Sequence, residues 1–78
     1  MNVSDALRTI MSERGATQSA IAGRVGVSQP AIASVLSVGN PQTRVLVSIL
    51  KALDYKLVAV PTGEELPEGA YVVEARRS

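Results

Sequence analysis

Residues 17 to 36 decide how this chain folds; they read Thr17-Gln-Ser-Ala-Ile-Ala-Gly-Arg-Val-Gly-Val-Ser-Gln-Pro-Ala-Ile-Ala-Ser-Val-Leu36. Thr17 and Ser28 are residues that cap helix N-termini, and Gly26 is a residue that ends helices in a left-handed conformation. Pro30 fits the first turn of a helix, where a missing N–H group leaves no hydrogen bond unmade. The stretch therefore predicts two short helices joined by a turn, with Val27 holding that turn in the core.

The side chains of the second of these helices divide into two faces. At about 100° per residue, the inner face carries Ala31, Ile32, Val35 and Leu36, which we expect to pack on Ile21, Ala22 and Val25. The outer face is small and polar, with Gln29, Pro30, Ala33, Ser34 and Ser37. Such a face fits the major groove of DNA, where Gln29 can pair with adenine, Ser34 can reach either kind of base edge and Ala33 can meet a thymine methyl group.

Two further helices flank this pair. We expect a first helix over residues 4–14, capped by Ser4 and ended by Gly15, with Leu7, Ile10 and Met11 on one face. After the helix-breaking run Gly39-Asn40-Pro41, a fourth helix is expected to begin at Gln42 or Thr43 and to end at Asp54 or Tyr55. Its apolar stripe consists of Leu46, Ile49, Leu50 and Leu53.

The pattern changes after the fourth helix. Residues 56–60 and 70–74 are rich in apolar and β-branched side chains, and residues 61–69 between them contain Pro and Gly, so two strands are predicted. Two strands alone are marginal in water, and we expect helices or the same strands of a second chain to cover them. The predicted fold is mainly α, a four-helix domain at residues 1–54 with a C-terminal strand pair at 55–78. The expected dimerisation residues are Leu57, Val58, Val60, Tyr71 and Val73.

The composition narrows the possible functions. The chain lacks His, Cys, Phe and Trp, so we expect no disulfide, no metal site, no cofactor and no enzymatic activity on a small-molecule substrate. Glu64, Glu65 and Glu68 lie in the Pro- and Gly-flanked turn and are interpreted as solvated charges. The two tyrosines, Tyr55 and Tyr71, are interpreted as packing residues. Without a membrane-spanning apolar run or a secretory signal, we expect a cytoplasmic protein, in a bacterial cell or a phage-infected host, with no membrane partner.

The stretch from Thr17 to Leu36 resembles the helix-turn-helix of the Cro/phage-repressor (XRE-type) family, and the flanking helices agree with it in size and spacing up to Leu53. This resemblance implies a lambda-repressor-like fold and double-stranded DNA as the partner. It implies base contacts from Ser28, Gln29, Ala33 and Ser34. The expected contacts to the DNA backbone come from Gln18, Thr17, Ser37, Asn40, Thr43 and Arg44. Pro30 departs from the polar residue of many phage repressors, which favours recognition of DNA shape over direct readout.

Other interpretations of these residues stay open. Thr17, Gln18 and Ser28 are also ordinary capping residues, and Arg24 and Arg44 could be solvated charges, although Arg44 lies at a helix start that would face phosphate. Residues 1–56 hold six basic and three acidic side chains, whereas residues 57–78 hold two and four. The split is consistent with a DNA-binding head and a dimerising or partner-binding tail.

We therefore expect a homodimeric transcriptional repressor that places two recognition helices about 34 Å apart on a palindromic operator. The sequence does not distinguish a phage or plasmid repressor from a host regulator or from an autoregulating antitoxin with a cognate toxin as partner. The sequence also does not give the operator sequence, does not distinguish an activator from a repressor, and does not show whether the strands pair within one chain or between two. The alternative is a protein-interaction module, an adaptor or inhibitor that keeps the fold without reading DNA.

Overall fold

Four helices account for most of the ordered secondary structure. The computed structural model describes residues 1–74. Its helices are α1 (Val3–Arg14), α2 (Gln18–Val25), α3 (Gln29–Val38) and α4 (Thr43–Ala52). The expectation of a mainly helical domain with four helices is confirmed. Arg76 and Arg77, in the last part of the expected 55–78 extension, lie outside the described residues.

Local capping chemistry sets the bounds of the two central helices as the sequence predicts. The Thr17 side chain accepts a hydrogen bond from the Ala20 N–H group at 3.1 Å, and the Ser28 side chain accepts one from the Ala31 N–H group at 3.3 Å. Gly26 ends α2 with φ 82°, a left-handed conformation that costs glycine least. The turn between α2 and α3 is therefore fixed by residues on both of its sides.

The cap of α1 differs from the prediction. Asn2, and not Ser4, is the N-cap: its Oδ1 atom accepts the Asp5 N–H at 2.8 Å and the Ser4 hydroxyl at 3.0 Å. Ser4 lies inside the first turn and is buried. Asn and Ser cap equally well, so two such residues close together leave the start of a helix undetermined from sequence. The polar tie between them adds a second hydrogen bond to the cap.

The core lies where the four helices meet. Leu7, Ile21, Ile32 and Ile49, one from each helix, are the largest fully buried side chains. Helix α3 packs against α1 and α2, and α2 also packs against α4. These contacts bury the inner face of α3 through Ile32 and Leu36, which turns its other face outward.

Two residues of the predicted core are exposed. Val27 is 42% exposed, so its side chain does not hold the turn in the core. The backbone does so instead, because the Val27 N–H group donates to the Ala22 carbonyl oxygen at 3.1 Å. Ala31 is also exposed, since it lies in the first turn of α3 beyond the end of α2. Val25 and Val35 are half-buried and pack at the edge of the core.

The C-terminal segment does not form the predicted hairpin within one chain. Residues 1–74 contain no β-strand, and the backbone of 56–60 has no hydrogen-bond partner among them. The Glu74 N–H group donates to the Met1 carbonyl oxygen at 2.9 Å. The segment 70–74 is therefore bonded to the chain at the start of α1 and not to the segment 56–60. Two strands without a third element are marginal, and a single chain supplies no sheet for them to join.

An aromatic cluster attaches this segment to the helices. The rings of Tyr55 and Tyr71 lie 6.3 Å apart, and the Arg14 guanidinium lies 5.3 Å from the centre of the Tyr55 ring. The Tyr71 hydroxyl donates to a Glu13 carboxylate oxygen. Tyr55 and Tyr71 were expected to pack in a strand layer. Both are packing residues, but they pack against the helical core.

Membrane-spanning potential is limited to one combination of elements. No single helix among residues 1–74 is long and apolar enough to cross a bilayer. Helices α2 and α3 have the required length and composition only when they are counted together, and they are bent by 112° where they meet.

Candidate nucleic-acid interface

The angle between α2 and α3 defines the shape of the candidate site. Their axes bend by 112° across the three-residue turn Gly26-Val27-Ser28. Helix-turn-helix motifs join two helices at about 90–120° through a turn of three or four residues. The angle and the turn length of this pair fall within those ranges.

The outer face of α3 is accessible. Ser28, Gln29 and Ser34 are exposed, and so is Ser37 near the end of the helix; Ala33 is half-buried. Hydrogen-bonding groups and one methyl-bearing residue therefore share a surface on the side opposite Ile32 and Leu36. Four of the proposed contact positions are accessible to a partner, and Ala33 can meet one only where the partner approaches closely.

One hydrogen bond crosses from α2 to this face. The Ser19 hydroxyl donates to Oε1 of Gln29 at 3.4 Å, a long contact between two exposed side chains. It holds the carboxamide oxygen, while the amide N–H groups of Gln29 stay available. The sequence interpretation missed Ser19, because the contact depends on how the two helices cross.

The residues expected at the DNA backbone lie at the starts of α2 and α4 and near the end of α3. Thr17 and Gln18 lie at the start of α2, where Gln18 is half-buried, and Asn40, Thr43 and Arg44 are exposed around the start of α4. The N-cap of α4, Gln42, makes no side-chain capping hydrogen bond. The first-turn N–H groups of α4 therefore have no capping side chain over them, unlike those of the other three helices.

A long carboxylate-free stretch covers the candidate interface. Between Glu13 and Asp54 the sequence has no acidic residue, whereas Arg14, Arg24, Arg44 and Lys51 are basic. Helices α2, α3 and α4 lie within this stretch and carry no negative side chain, which favours a polyanionic partner, and their N-termini add partial positive charge. This signal was present in the sequence and indicates the same region as the motif.

Two arginines serve the fold. The Arg24 guanidinium donates to the Ala52 carbonyl oxygen at 2.9 Å, and the Arg8 guanidinium donates to the Leu36 carbonyl oxygen at 3.2 Å. Each satisfies a carbonyl at a helix C-terminus that has no partner within its own helix. Arg24 is thus bound to the end of α4. Arg44 lies in the first turn of α4, where it could meet a phosphate group.

The residues expected at a dimer interface are mostly exposed. Leu57, Val58, Val60 and Val73 are 45, 58, 39 and 40% exposed. Tyr71 is half-buried and bound to Glu13. That hydrogen bond, together with burial and the Glu13 charge, raises the pKa of Tyr71 to about 12. Tyr71 therefore holds the tail in its own chain, while the aliphatic residues around it face solvent.

The acidic side chains of the turn are solvated and do not form a cluster that could hold a metal ion. Glu64, Glu65 and Glu68 are exposed, and no group of three or more potential metal-ligating side chains comes together anywhere in residues 1–74.

Comparison with known proteins found no relative. No family model matches the chain. Neither the curated proteins nor the solved structures gave a match.

Proposed function

We propose that this chain is a sequence-specific repressor of transcription that binds double-stranded DNA as a homodimer, with a lambda-repressor-like helix-turn-helix fold in which α3 is the recognition helix. Ser28, Gln29, Ala33 and Ser34 contact base edges. The DNA backbone is held by Thr17, Gln18, Ser37, Asn40, Thr43 and Arg44.

The observation that carries this proposal is the exposure of Gln29 and Ser34 on an α3 whose other face is buried. A recognition helix must present its polar side to a groove while its apolar side holds it on the domain. Burial of Ile32 and Leu36 to 1 and 3% exposure fixes that orientation. Had Gln29 and Ser34 packed into the interior, no duplex could have reached them.

The surface around α3 supports DNA more than a neutral partner. Helices α2, α3 and α4 all lie between Glu13 and Asp54, where the sequence has no carboxylate, so these helices themselves offer phosphate no like charge. With Pro30 in the first turn and small side chains after it, few groups read bases directly. We therefore expect DNA shape and deformability to contribute much of the specificity.

The tail supports assembly with a second copy. Its aliphatic side chains are exposed, with Val58 at 58% and Val72 at 57%, and residues 56–60 leave their backbone groups unpaired within the described part of the chain. Pairing these segments between two chains would cover both the apolar side chains and the strand edges. The two-fold axis so formed would place the recognition helices on successive major grooves.

DNA binding is tested by gel shift on the promoter region of the chain's own gene. Gln29→Ala and Ser34→Ala should change the preference among operator variants, with each lost base contact costing about 1–3 kcal/mol of discrimination. Ser12→Ala, at an exposed position of α1, is the matched control. Unchanged sequence preference in both α3 variants would remove α3 as the recognition helix.

Dimerisation is tested in the full-length chain by sedimentation velocity. Val58→Asp places a charge among the exposed aliphatic residues and should yield monomer at concentrations at which the unmodified chain is a dimer. Thr62→Asp, in the exposed turn, makes the same change of charge outside the expected strands and should stay dimeric. A Val58→Asp dimer of unchanged affinity would place the interface elsewhere.

A second candidate is a protein-interaction module, and the exposed aliphatic tail is the observation that favours it. A toxin or another protein could cover Val58 and Val72 while α3 stays idle. The two candidates differ in a salt titration of duplex binding. A repressor loses affinity steeply as salt rises because phosphate contacts release counterions, whereas an adaptor shows no saturable duplex binding at low salt.

A further inference from the structure

A cavity of about 540 Å³ lies between α1, α4 and the C-terminal tail. Its walls on the helical side are aliphatic: Val3, Ala6, Leu7, Ile10, Leu46 and Leu50. Helices α1 and α4 do not pack closely on each other, so the groove between them is open until the tail covers it. The cavity is therefore part of the fold and not an interruption of the helical core.

This space is larger than close packing leaves inside a domain. Protein interiors are packed to crystal-like density, with few voids larger than a water molecule. Small-molecule sites, by contrast, are largely apolar concavities of about 300–1,000 Å³. The size and the lining of this cavity match the second class.

The tail forms a roof that is attached at both ends. At its start, Tyr55 lies under the Arg14 guanidinium at 5.3 Å. At its far end, the Tyr71 hydroxyl is bound to Glu13, and the Glu74 N–H group to the Met1 carbonyl oxygen. Between these points, Leu57 and Leu66 line the cavity and are each 45% exposed. Their side chains stand at the opening without being buried by the helices, and an occupant would cover them.

The lining also specifies the chemistry of the occupant. The charged residues that line the cavity are Lys56 and Glu64, whose charges offset each other, and the Thr62 and tyrosine residues of the lining carry hydroxyl groups. A charged head group gains no net attraction from such a lining, whereas a long aliphatic chain gains from every wall residue. We infer that this cavity binds an uncharged, medium-chain aliphatic molecule with one hydrogen-bonding head group, such as a medium-chain alcohol.

The site is separate from the proposed DNA interface. No residue of α2 or α3 lines the cavity. Binding there does not depend on whether α3 reads DNA. The lining does include Leu57, Val58, Val60, Tyr71 and Val73 of the expected dimer interface, so a bound molecule and a second copy of the chain would compete for the same side chains.

The test uses the full-length chain and 1-octanol as the probe. Calorimetry should show saturable binding of one molecule per chain. The methyl resonances of Ala6, Leu46 and Leu50 should shift, while those of the exposed Val27 and Val38 should not. Octanoate and octylammonium of the same chain length should bind more weakly.

A matched pair of variants locates the site. Ala70 is exposed and lines the cavity, whereas Ala59 is exposed in the same tail and does not line it. Ala70→Trp should lower the affinity for octanol at least about tenfold, or about 1.4 kcal/mol, because the indole ring would take the volume that the aliphatic chain occupies. Ala59→Trp should leave the affinity unchanged. Far-UV circular dichroism checks that both variants keep their helical content.

Three results would overturn the inference. The first is the absence of saturable octanol binding, and the second is an equal affinity in Ala70→Trp and Ala59→Trp. The third is an octanol affinity that falls as protein concentration rises, because a second copy of the chain would then be the occupant.

Discussion

The hydroxyl of Ser19 in α2 donates to Oε1 of Gln29 in α3 at 3.4 Å, so the first helix of the pair orients a side chain on the outer face of the second. A glutamine that pairs with adenine must present its oxygen and its amide N–H groups in one plane. Ser19 restricts the rotation of that plane before DNA arrives. Part of the entropic cost of ordering Gln29 is then met in the free protein.

Removal of this contact should weaken operator binding without abolishing it. Ser19→Ala is expected to cost at most about 0.5–1.5 kcal/mol of operator affinity, the cost of ordering one long side chain on binding. In the Gln29→Ala background the same change should cost nothing further, because its partner is gone. Fluorescence anisotropy on a double-mutant cycle measures the difference, and additive effects would show that Ser19 acts through another route.

Arg44 should contribute to affinity for every DNA sequence alike. It is exposed in the first turn of α4, where a cation can meet phosphate, and it has no role in base readout. Arg44→Ala is expected to lower binding to operator and non-operator duplexes equally and to reduce the slope of log affinity against log salt by about one. Lys51→Ala, at the other end of α4, should leave that slope unaltered. If the unmodified chain, Arg44→Ala and Lys51→Ala all gave the same slope, Arg44 would not be a phosphate contact.

Two glycines close together in sequence should respond to alanine in opposite directions. Gly23 has helical φ, and a Cβ atom there meets nothing within 4 Å; Gly26 has φ 82°. Gly23→Ala should raise the free energy of unfolding by about 0.5–1 kcal/mol, because alanine loses less chain entropy in a helix. Gly26→Ala should lower it by about 1–2 kcal/mol through the left-handed conformation. Urea denaturation followed by circular dichroism measures both, and the same sign for the pair would contradict the assigned backbone.

Tyr71 should ionise later than an ordinary tyrosine. Its pKa of about 12 in the folded chain exceeds the value near 10 of an unfolded tyrosine, because the protonated hydroxyl is the form that donates to Glu13. The stabilising effect of this bond is therefore complete below about pH 10 and is lost as the pH rises through about 12. Absorbance at alkaline pH in a Tyr55→Phe background follows Tyr71 alone.

The control for this titration is the removal of the acceptor charge. Glu13→Gln keeps an oxygen acceptor but removes the carboxylate, so the pKa of Tyr71 should fall toward 10. Circular dichroism at each pH excludes unfolding as the source of the change. A Tyr71 pKa that is the same with and without the Glu13→Gln substitution would assign the shift to burial.

The sequence predicted those features that nearest neighbours along the chain determine. Thr17, Ser28 and Gly26 act through backbone groups a few residues away, so their positions alone give the bounds of α2 and α3. The helical period likewise places Gln29 and Ser34 opposite Ile32. These two rules were sufficient for the four helices, except for the N-cap of α1, and for the faces of α3, except for Ala31 and Ala33.

Features that depend on distant parts of the chain were not predictable in the same way. Val27 was expected in the core, but the Val27 N–H group alone suffices to close the turn on Ala22. The Ser19 contact requires the 112° crossing of α2 and α3, which packing sets. Residues 56–60 carry a strand pattern but have no partner strand in the described part of the chain. A pattern within one segment does not indicate which other segment, in the same chain or in a second one, would pair with it.

Gln42 leaves the start of α4 without a side-chain cap, and this incomplete end bears on how far the protein could be made heat-resistant. Gln42→Asp would fasten the first turn of α4 and add about 1 kcal/mol to stability. The same carboxylate would accept hydrogen bonds from the backbone N–H groups in the first turn of α4, beside Arg44, and its negative charge would repel phosphate. Under the proposed function, a substitution that stabilises α4 at this position would therefore weaken the hold on DNA.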